Sequence, residues 1–318
     1  MGLSPKNGKR WSARYSQKHI KLTCRQFICQ DWMRAETEIK NLIVDFGTKD
    51  DRVRAILLNG SRSNPNARHD KFQDFDIVFL VRQIESFTDD HLWTDVFGKK
   101  LIWQLPDAMR FITQYESIGF AYLMLFDDGN RIDLTLFPLE KYQTDFKVDS
   151  LTTVWLDKDS LFTDIPPPTD IDYHIRRPSE QEFFETCNEF WWVSTYVAKG
   201  LARHEITYAK KMLDTVVRPM FMKLIEWKIG TENDFSVSVG YAGKFISKYL
   251  DKDYFSKILD TYADADVEAN WHALFVMTDL FKQFAAEVSA SLKFKQNKEE
   301  QENTLNYLRD VYRAQAGK

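Results

Sequence analysis

The sequence has few cysteines, no long apolar run and no excess of positive charge. Its 318 residues include three cysteines, Cys24, Cys29 and Cys187, without metal-ligand spacing. This sparse, odd-numbered set argues against a disulfide framework and favours a reducing, cytoplasmic setting. No apolar stretch approaches the roughly 20 residues needed to cross a bilayer, so we expect no membrane segment. The net charge of −4 disfavours a nucleic-acid partner, whose phosphates require a positive surface.

The charge is unevenly distributed along the chain. Residues 1–32 carry seven lysines and arginines against one aspartate, a local charge of +6, so the remainder carries −10. An acidic body is compatible with a small cationic substrate. We predict that residues 1–32 are a basic, disordered extension, and that the rest is globular, because 44% of the residues are hydrophobic. A monomer and a homodimer are equally compatible with this composition.

Three consecutive prolines, Pro166–Pro168, mark the best candidate for a domain boundary, because they form a stiff, extended spacer. We predict one domain over residues 33–168 and a second over 169–318. The first shows a helical pattern from Ala35 that we expect to end at Gly47. It also shows strand patterns over residues 53–59, 74–81, 120–126 and 131–136.

The second domain is helical in pattern almost throughout. Ser179 and Glu182 form a possible capping box at the start of a long helix. Further helices are predicted over about 208–229, 243–259, 267–291 and 299–313, and Gly240–Lys244 is interpreted as a helix start. The whole order predicts an α+β fold, in which a small mixed sheet with helices is followed by a helical bundle.

Asp74 and Asp76 are the most informative residues, because they follow Gly60-Ser61 by thirteen and fifteen positions and lead into an apolar strand. Residues two apart in a strand share a face, so both carboxylates would lie side by side. Like charges placed so closely are tolerated mainly when a cation bridges them. Hard oxygen ligands suit Mg²⁺, and two such ions can hold a nucleoside triphosphate.

The segment Gly60-Ser61-Arg62-Ser63 follows the preceding strand directly. Glycine allows the backbone to approach a ligand closely, and the amides and hydroxyls of Ser61 and Ser63 can hold phosphate. Arg62 can clamp phosphate oxygens through two parallel hydrogen bonds. A surface salt bridge is the alternative for Arg62.

Asp133 is a third acid on a later strand, after the hairpin turn at Asp127–Asn130. It can complete a metal shell or accept the proton of an acceptor hydroxyl. Together, the phosphate-binding turn, the paired acids and the third acid predict a metal-assisted phosphoryl-transfer site.

The long helix from Ser179 sorts into two faces at 100° per residue. One face is apolar and includes Phe183, Phe184, Phe190 and Leu201. The other carries residues that can serve two roles. Glu185 and Glu189 can meet a cationic acceptor, with cation–π faces from Trp192 and Tyr196, and Lys199 and Arg203 can approach the triphosphate.

These motifs resemble the nucleotidyltransferase superfamily that includes DNA polymerase beta. More specifically, residues 72–77, 97–100, 128–136, 156–160 and 187–203 resemble the aminoglycoside 6-adenylyltransferases, over roughly residues 33–295. The resemblance implies transfer of AMP from ATP to the 6-hydroxyl of streptomycin, with release of pyrophosphate and antibiotic resistance. It also implies that Asp74 and Asp76 are Mg²⁺ ligands and that Asp133 is the third acid.

Two departures from the family pattern leave the acceptor open. The basic extension is not typical, and Tyr241-Ala242-Gly243 differs from the stretch found in relatives. Another aminoglycoside, a lincosamide or a protein hydroxyl are alternative acceptors. A nucleotide-binding protein without turnover is the alternative from a different functional class.

Overall fold

The fold was obtained as a computed structural model that describes residues 33–110 and 118–316. The predicted basic extension, residues 1–32, lies outside the described residues. Contacts between residues divide the chain into two compact units, one ending at Pro168 and the other beginning at Thr169. No helix in the described ranges is long and apolar enough to cross a membrane.

The first unit is built on a mixed sheet of six described strands. The strands are β1 Val53–Asn59, β2 Phe75–Val81, β3 Lys100–Gln104, β4 Phe120–Phe126, β5 Arg131–Pro138 and β6 Thr153–Asp157. Their order is β3-β4-β5-β2-β1-β6. Only β2 and β5 pair in parallel, and each other neighbouring pair is antiparallel.

The central strands follow from the apolar pattern of the sequence. Phe75, Ile77 and Phe79 of β2 alternate on one face and are at most 1% exposed, as predicted. The strands β4 and β5 are joined by the predicted tight turn, in which Gly129 adopts φ +77°. Burial of the large apolar side chains therefore sets the register that places the polar residues at the strand ends.

The described part of the first unit contains three α-helices: α1 Glu36–Lys49, α2 Glu85–Thr88 and α3 Tyr142–Asp145. The prediction that α1 ends at Gly47 is wrong, because the helix continues to Lys49. Gly47 is buried, and a Cβ atom there would lie 2.5 Å from Cδ1 of Ile56. Its small size lets α1 pack closely against β1.

The second unit is helical, which confirms the predicted α+β fold. Its helices are α4 Glu180–Ala202, α5 Ile206–Met212, α6 Arg218–Glu232, α7 Lys252–Asp260, α8 Val267–Leu292 and α9 Lys298–Ala316. The capping box at Ser179 and Glu182 is present. The apolar face of α4 is buried as predicted, except that Phe184 is 44% exposed.

The prediction of a helix over 243–259 is wrong for its first half. Residues Tyr241–Gly243 and Ile246–Lys248 form two short 3₁₀ turns, and α7 begins only at Lys252. Gly240, Ala242 and Gly243 all have positive φ. This backbone conformation is incompatible with a right-handed helix start, which the apolar spacing alone could not reveal.

The predicted helix over 208–229 is formed, but it is locally wider in the middle. Residues Leu213–Val217 make a π turn between α5 and α6. Pro219, in the first turn of α6, has no N–H to donate, which is consistent with a local change in the hydrogen-bond spacing.

Candidate active site

Three carboxylates converge where β2 and β5 run side by side. Asp76 of β2 pairs in register with Asp133 of β5, and Asn59 of β1 is its partner on the other side. Asp74 immediately precedes β2, which begins at Phe75. Because parallel partners in register present their side chains in the same direction, the sheet brings the predicted third acid next to the predicted pair.

Gly60 lies directly against the Asp76 carboxylate. It is the first residue after β1 and opens a 3₁₀ turn over Gly60–Arg62. Its φ is +71°, and a Cβ atom at this position would lie 2.1 Å from Oδ2 of Asp76. Glycine is thus required both by the backbone conformation and by the close approach of the carboxylate.

Arg131 is the residue in this site that sequence reasoning did not assign. Its Nε donates to Oδ1 of Asp133 at 2.8 Å, and its Nη2 donates to Oδ2 at 2.6 Å. Its Nη1 lies 3.5 Å from Oδ2 of Asp74. A usable signal was present, because Arg131 precedes Asp133 by two residues on the same strand and therefore shares its face.

The pKa values of Asp74 and Asp76 are both raised above the ordinary value for aspartate. Burial raises the pKa of Asp74, and Asp133 adds to this effect while Arg131 opposes it. Burial also raises the pKa of Asp76 to about 6, with further contributions from the negative charges of Asp133 and Asp74. Among the described residues, no side chain or amide forms a hydrogen bond or salt bridge with the Asp76 carboxylate. The site therefore holds negative charge that its own cations only partly compensate.

The pKa of Asp76 predicts how the stability of the metal-free protein varies with pH. The folded chain binds this proton near pH 6, whereas the unfolded chain binds it only near the ordinary value of 3.8. Stability should therefore increase as the pH falls from 7 toward 5, and Asp76→Asn should show a smaller increase. Urea denaturation in EDTA at both pH values measures the difference. Identical pH dependence in the two proteins would contradict the assignment.

The chemistry of the three side chains fits a divalent cation. In the described part of the chain, no set of three or more His, Cys, Asp or Glu side chains is already arranged to hold a metal ion. The donors at the sheet are nevertheless carboxylate oxygens, which Mg²⁺ prefers. The Asp76 carboxylate is partly buried and forms no hydrogen bond or salt bridge with the described residues. A cation bound there would offset the free-energy cost of burying this charge.

Arg62, predicted to bind phosphate, forms its hydrogen bonds within the protein instead. Its Nε and Nη2 donate to the backbone carbonyls of Asp74 and Gln73 at 3.1 and 2.6 Å. Its Nη1 donates to Glu36 at 2.9 Å, and its guanidinium lies 3.8 Å from the ring centroid of Phe75. The side chain is only 6% exposed. Arg62 therefore orients the backbone that carries Asp74 and is not free to grip phosphates.

The hydroxyl of Ser63 is likewise used within the protein. It donates to the carbonyl of Leu58 at 3.1 Å and lies 3.1 Å from the Thr153 hydroxyl. Ser63 is 7% exposed, so its hydroxyl is not available to a phosphate. Ser61 differs, because among the described residues only its carbonyl is engaged, by the Gln73 side-chain amide at 3.0 Å and by the backbone amide of Asn64 at 3.3 Å. Gly60 and Ser61 are therefore the part of the predicted phosphate turn that remains accessible.

The predicted substrate residues of the second unit lie on the solvent-facing side of α4. Trp192 donates through Nε1 to the Tyr196 hydroxyl at 2.8 Å. The Lys199 ammonium lies 5.7 Å from the ring centroid of Tyr196 and 6.0 Å from that of Tyr307. The remaining members of this group, Glu185, Glu189 and Arg203, are exposed.

A cavity of about 550 Å³ lies between α4 and α9. Trp192 and Thr195 of α4 form one wall, and Glu299, Glu300, Asn303 and Tyr307 of α9 are among the residues that form the other. Trp192 is 60% exposed and Tyr307 is 38% exposed. The contribution of α9 was missed, although residues 300, 303, 304 and 307 have the spacing of a single helix face.

Comparison with known proteins identifies close relatives along most of the chain. The sequence profile of the streptomycin adenylyltransferase family matches residues 33–311. An aminoglycoside 6-adenylyltransferase from Bacillus subtilis (strain 168) is 39% identical over 83% of this chain and 93% of its own. The enzyme of the same name from Campylobacter jejuni is 40% identical over 82% and 91%, and that from Staphylococcus aureus is 37% identical over 88% and 99%.

A solved structure is also similar in sequence. The crystal structure of an aminoglycoside 6-adenyltransferase from Bacillus subtilis has 33% identity, covering 88% of this chain and 99% of that one, with a TM-score of 0.44. The family match and the identities confirm the resemblance predicted from the motifs. The chain is an adenylyltransferase that belongs to the streptomycin adenylyltransferase family.

Proposed function

We propose that this enzyme transfers AMP from ATP to the 6-hydroxyl of streptomycin, releases pyrophosphate and thereby confers resistance. The observation that carries the proposal is the convergence of Asp74, Asp76 and Asp133 beside Gly60, in a chain whose relatives are named aminoglycoside 6-adenylyltransferases. We also propose that the enzyme works in the cytoplasm, because the proposed reaction consumes ATP.

Each residue of the site has a defined part in this chemistry. Asp74, Asp76 and Asp133 would hold Mg²⁺, which when bound neutralises charge on the phosphate oxygens. The Gly60-Ser61 turn presents backbone amides and a hydroxyl to the triphosphate. The acceptor oxygen forms a bond to the α-phosphorus as the bond to the pyrophosphate oxygen breaks, and the hydroxyl proton passes to Asp133.

The acceptor is proposed to bind along α4. Streptomycin carries guanidinium groups, which pair with carboxylates and stack on aromatic rings. The cavity between α4 and α9 supplies both kinds of surface, through Trp192, Tyr307, Glu299 and Glu300. Lys199 already lies near the rings of Tyr196 and Tyr307, so these rings interact with a cation within the protein itself.

Trp192→Ala is expected to raise KM for streptomycin about tenfold, because loss of one cation–π and stacking surface costs about 1–2 kcal/mol. The kcat should change little, since Trp192 does not touch the transferred group. Steady-state kinetics at saturating ATP measure both parameters. Phe184→Ala is the matched control, because Phe184 is an exposed aromatic residue of the same helix that does not line this cavity. Equal KM values for the two variants would contradict the assignment of Trp192.

The reaction itself is tested by pyrophosphate release from Mg-ATP with and without streptomycin. We expect release to require streptomycin, and mass spectrometry of the product should show one added AMP unit. NMR of the product locates the new phosphodiester, which we expect at the 6-hydroxyl. Release with a different aminoglycoside, but not with streptomycin, would overturn the acceptor assignment while leaving the transfer chemistry in place.

A further inference from the structure

Within the described ranges, Arg131 is the residue that forms salt bridges with the proposed catalytic carboxylates. It forms a two-pronged hydrogen-bonded pair with Asp133 and lies within salt-bridge distance of Asp74. We propose that Arg131 is an internal counter-ion, which holds Asp133 and Asp74 in the metal-free enzyme and must leave them when a divalent cation binds. This inference rests on the proposed function, because it concerns the same carboxylates.

The guanidinium occupies both oxygens that Asp133 would offer to a metal ion. Its donors lie 2.8 and 2.6 Å from Oδ1 and Oδ2, so each carboxylate oxygen of Asp133 accepts a hydrogen bond from Arg131. A divalent ion at the same carboxylate would be strongly repelled by a guanidinium at this distance. Arg131 and the metal ion are therefore alternative partners of Asp133.

The mobility that such an exchange requires is available to Arg131 and not to Arg62. The Arg131 side chain is 43% exposed, and among the described residues its hydrogen bonds and salt bridges are all with Asp133 and Asp74. Arg62 is 6% exposed and is fixed by two backbone carbonyls. Arg131 can therefore swing into solvent without breaking any contact that the fold needs, whereas Arg62 cannot.

The contacts also indicate an order of exchange. The Asp76 side chain forms no hydrogen bond or salt bridge with the described residues and so offers free carboxylate oxygens. The contact between Arg131 and Asp74 is long, at 3.5 Å, and should break before the short pair with Asp133. A cation that binds first at Asp76 and Asp74 would then displace Arg131 from Asp133.

The test compares divalent-cation binding by the full-length wild-type protein and by Arg131→Gln, with Mn²⁺ followed by electron paramagnetic resonance. Arg131→Gln should bind Mn²⁺ about tenfold more tightly, because the competing charge is removed. It should also melt at a lower temperature than wild type in EDTA and recover when Mg²⁺ is added. Unchanged or weaker Mn²⁺ binding would overturn the proposal.

The matched control is Arg54→Gln, which removes another arginine–aspartate pair, formed with Asp159 in the same unit. Its Mn²⁺ affinity should equal that of wild type. Arg131→Lys retains a charge but loses the paired hydrogen bonds, so it should bind Mn²⁺ with intermediate affinity.

A measurement on the unmutated protein covers the case in which Arg131→Gln does not fold. Phenylglyoxal modifies free guanidinium groups, so adding Mg²⁺ should speed the modification of Arg131 severalfold and leave that of Arg54 unchanged. Slower or unchanged modification of Arg131 would overturn the proposal.

Failure of this inference can be distinguished from failure of the proposed function. If the wild-type protein transfers AMP and binds Mn²⁺ but Arg131→Gln binds it no more tightly, only the role of Arg131 is rejected. If the wild-type protein binds no divalent cation and releases no pyrophosphate, both are rejected.

Discussion

Asp74→Asn is expected to lower kcat by about three orders of magnitude or more while the protein remains folded. The substitution keeps the shape of the side chain but removes one of the charges that would hold Mg²⁺ against the phosphates. Stability should not fall, because the raised pKa of Asp74 indicates that its charge is unfavourable in the folded chain. Pyrophosphate release measures kcat, and circular dichroism with thermal melting checks the fold.

Asp45→Asn provides the control for Asp74→Asn. It makes the same chemical change on the exposed side of α1, where the Asp45 side chain forms no hydrogen bond or salt bridge with the described residues. We expect its turnover to match that of wild type. A near-normal rate of pyrophosphate release by Asp74→Asn would remove Asp74 from the catalytic set.

Gly60→Ala is expected to lower kcat about a hundredfold or more and to destabilise the protein by about 1–3 kcal/mol. The loss of stability follows from placing a Cβ atom on a residue with φ +71°. The loss of activity has a separate cause, since that Cβ atom would lie 2.1 Å from Oδ2 of Asp76 and must displace the carboxylate. Urea denaturation and steady-state kinetics measure the two effects independently.

Gly129→Ala separates these two causes. Gly129 has a similar φ of +77° but lies in the turn between β4 and β5. It should therefore lose comparable stability and retain most of its activity. If both variants lost activity equally, backbone strain alone would explain the effect of Gly60→Ala, and the contact with Asp76 would have no catalytic role.

The sheet and the grouping of its acids were predictable because both depend on local patterns. Alternating burial made Phe75, Ile77 and Phe79 a strand, and a period of two then required Asp74 and Asp76 to share its polar side. Asp133 lay in a second such strand. The family was equally predictable, because the resemblance rests on short motifs that are contiguous in the sequence.

Two of the errors concern residues that contact another segment of the chain, and the third concerns backbone conformation. Gly47 was expected to end α1, but it remains helical and lies closely against Ile56 of β1. Arg62 was expected to bind phosphate, yet its long side chain reaches carbonyls eleven and twelve residues away. The 243–259 segment had helical spacing, but Gly243 at its start has positive φ, as do Gly240 and Ala242 just before it.

The sequence by itself therefore determined the fold class, the family and the three acids, since each follows from side-chain periodicity or from a contiguous motif. Only the tertiary structure decided which cations accompany those acids. Arginine side chains are long and can pair with several partners, so the choice depends on which backbone and carboxylate oxygens the folded sheet brings within reach. That choice buries Arg62 beneath Asp74 and leaves Arg131 exposed between Asp74 and Asp133.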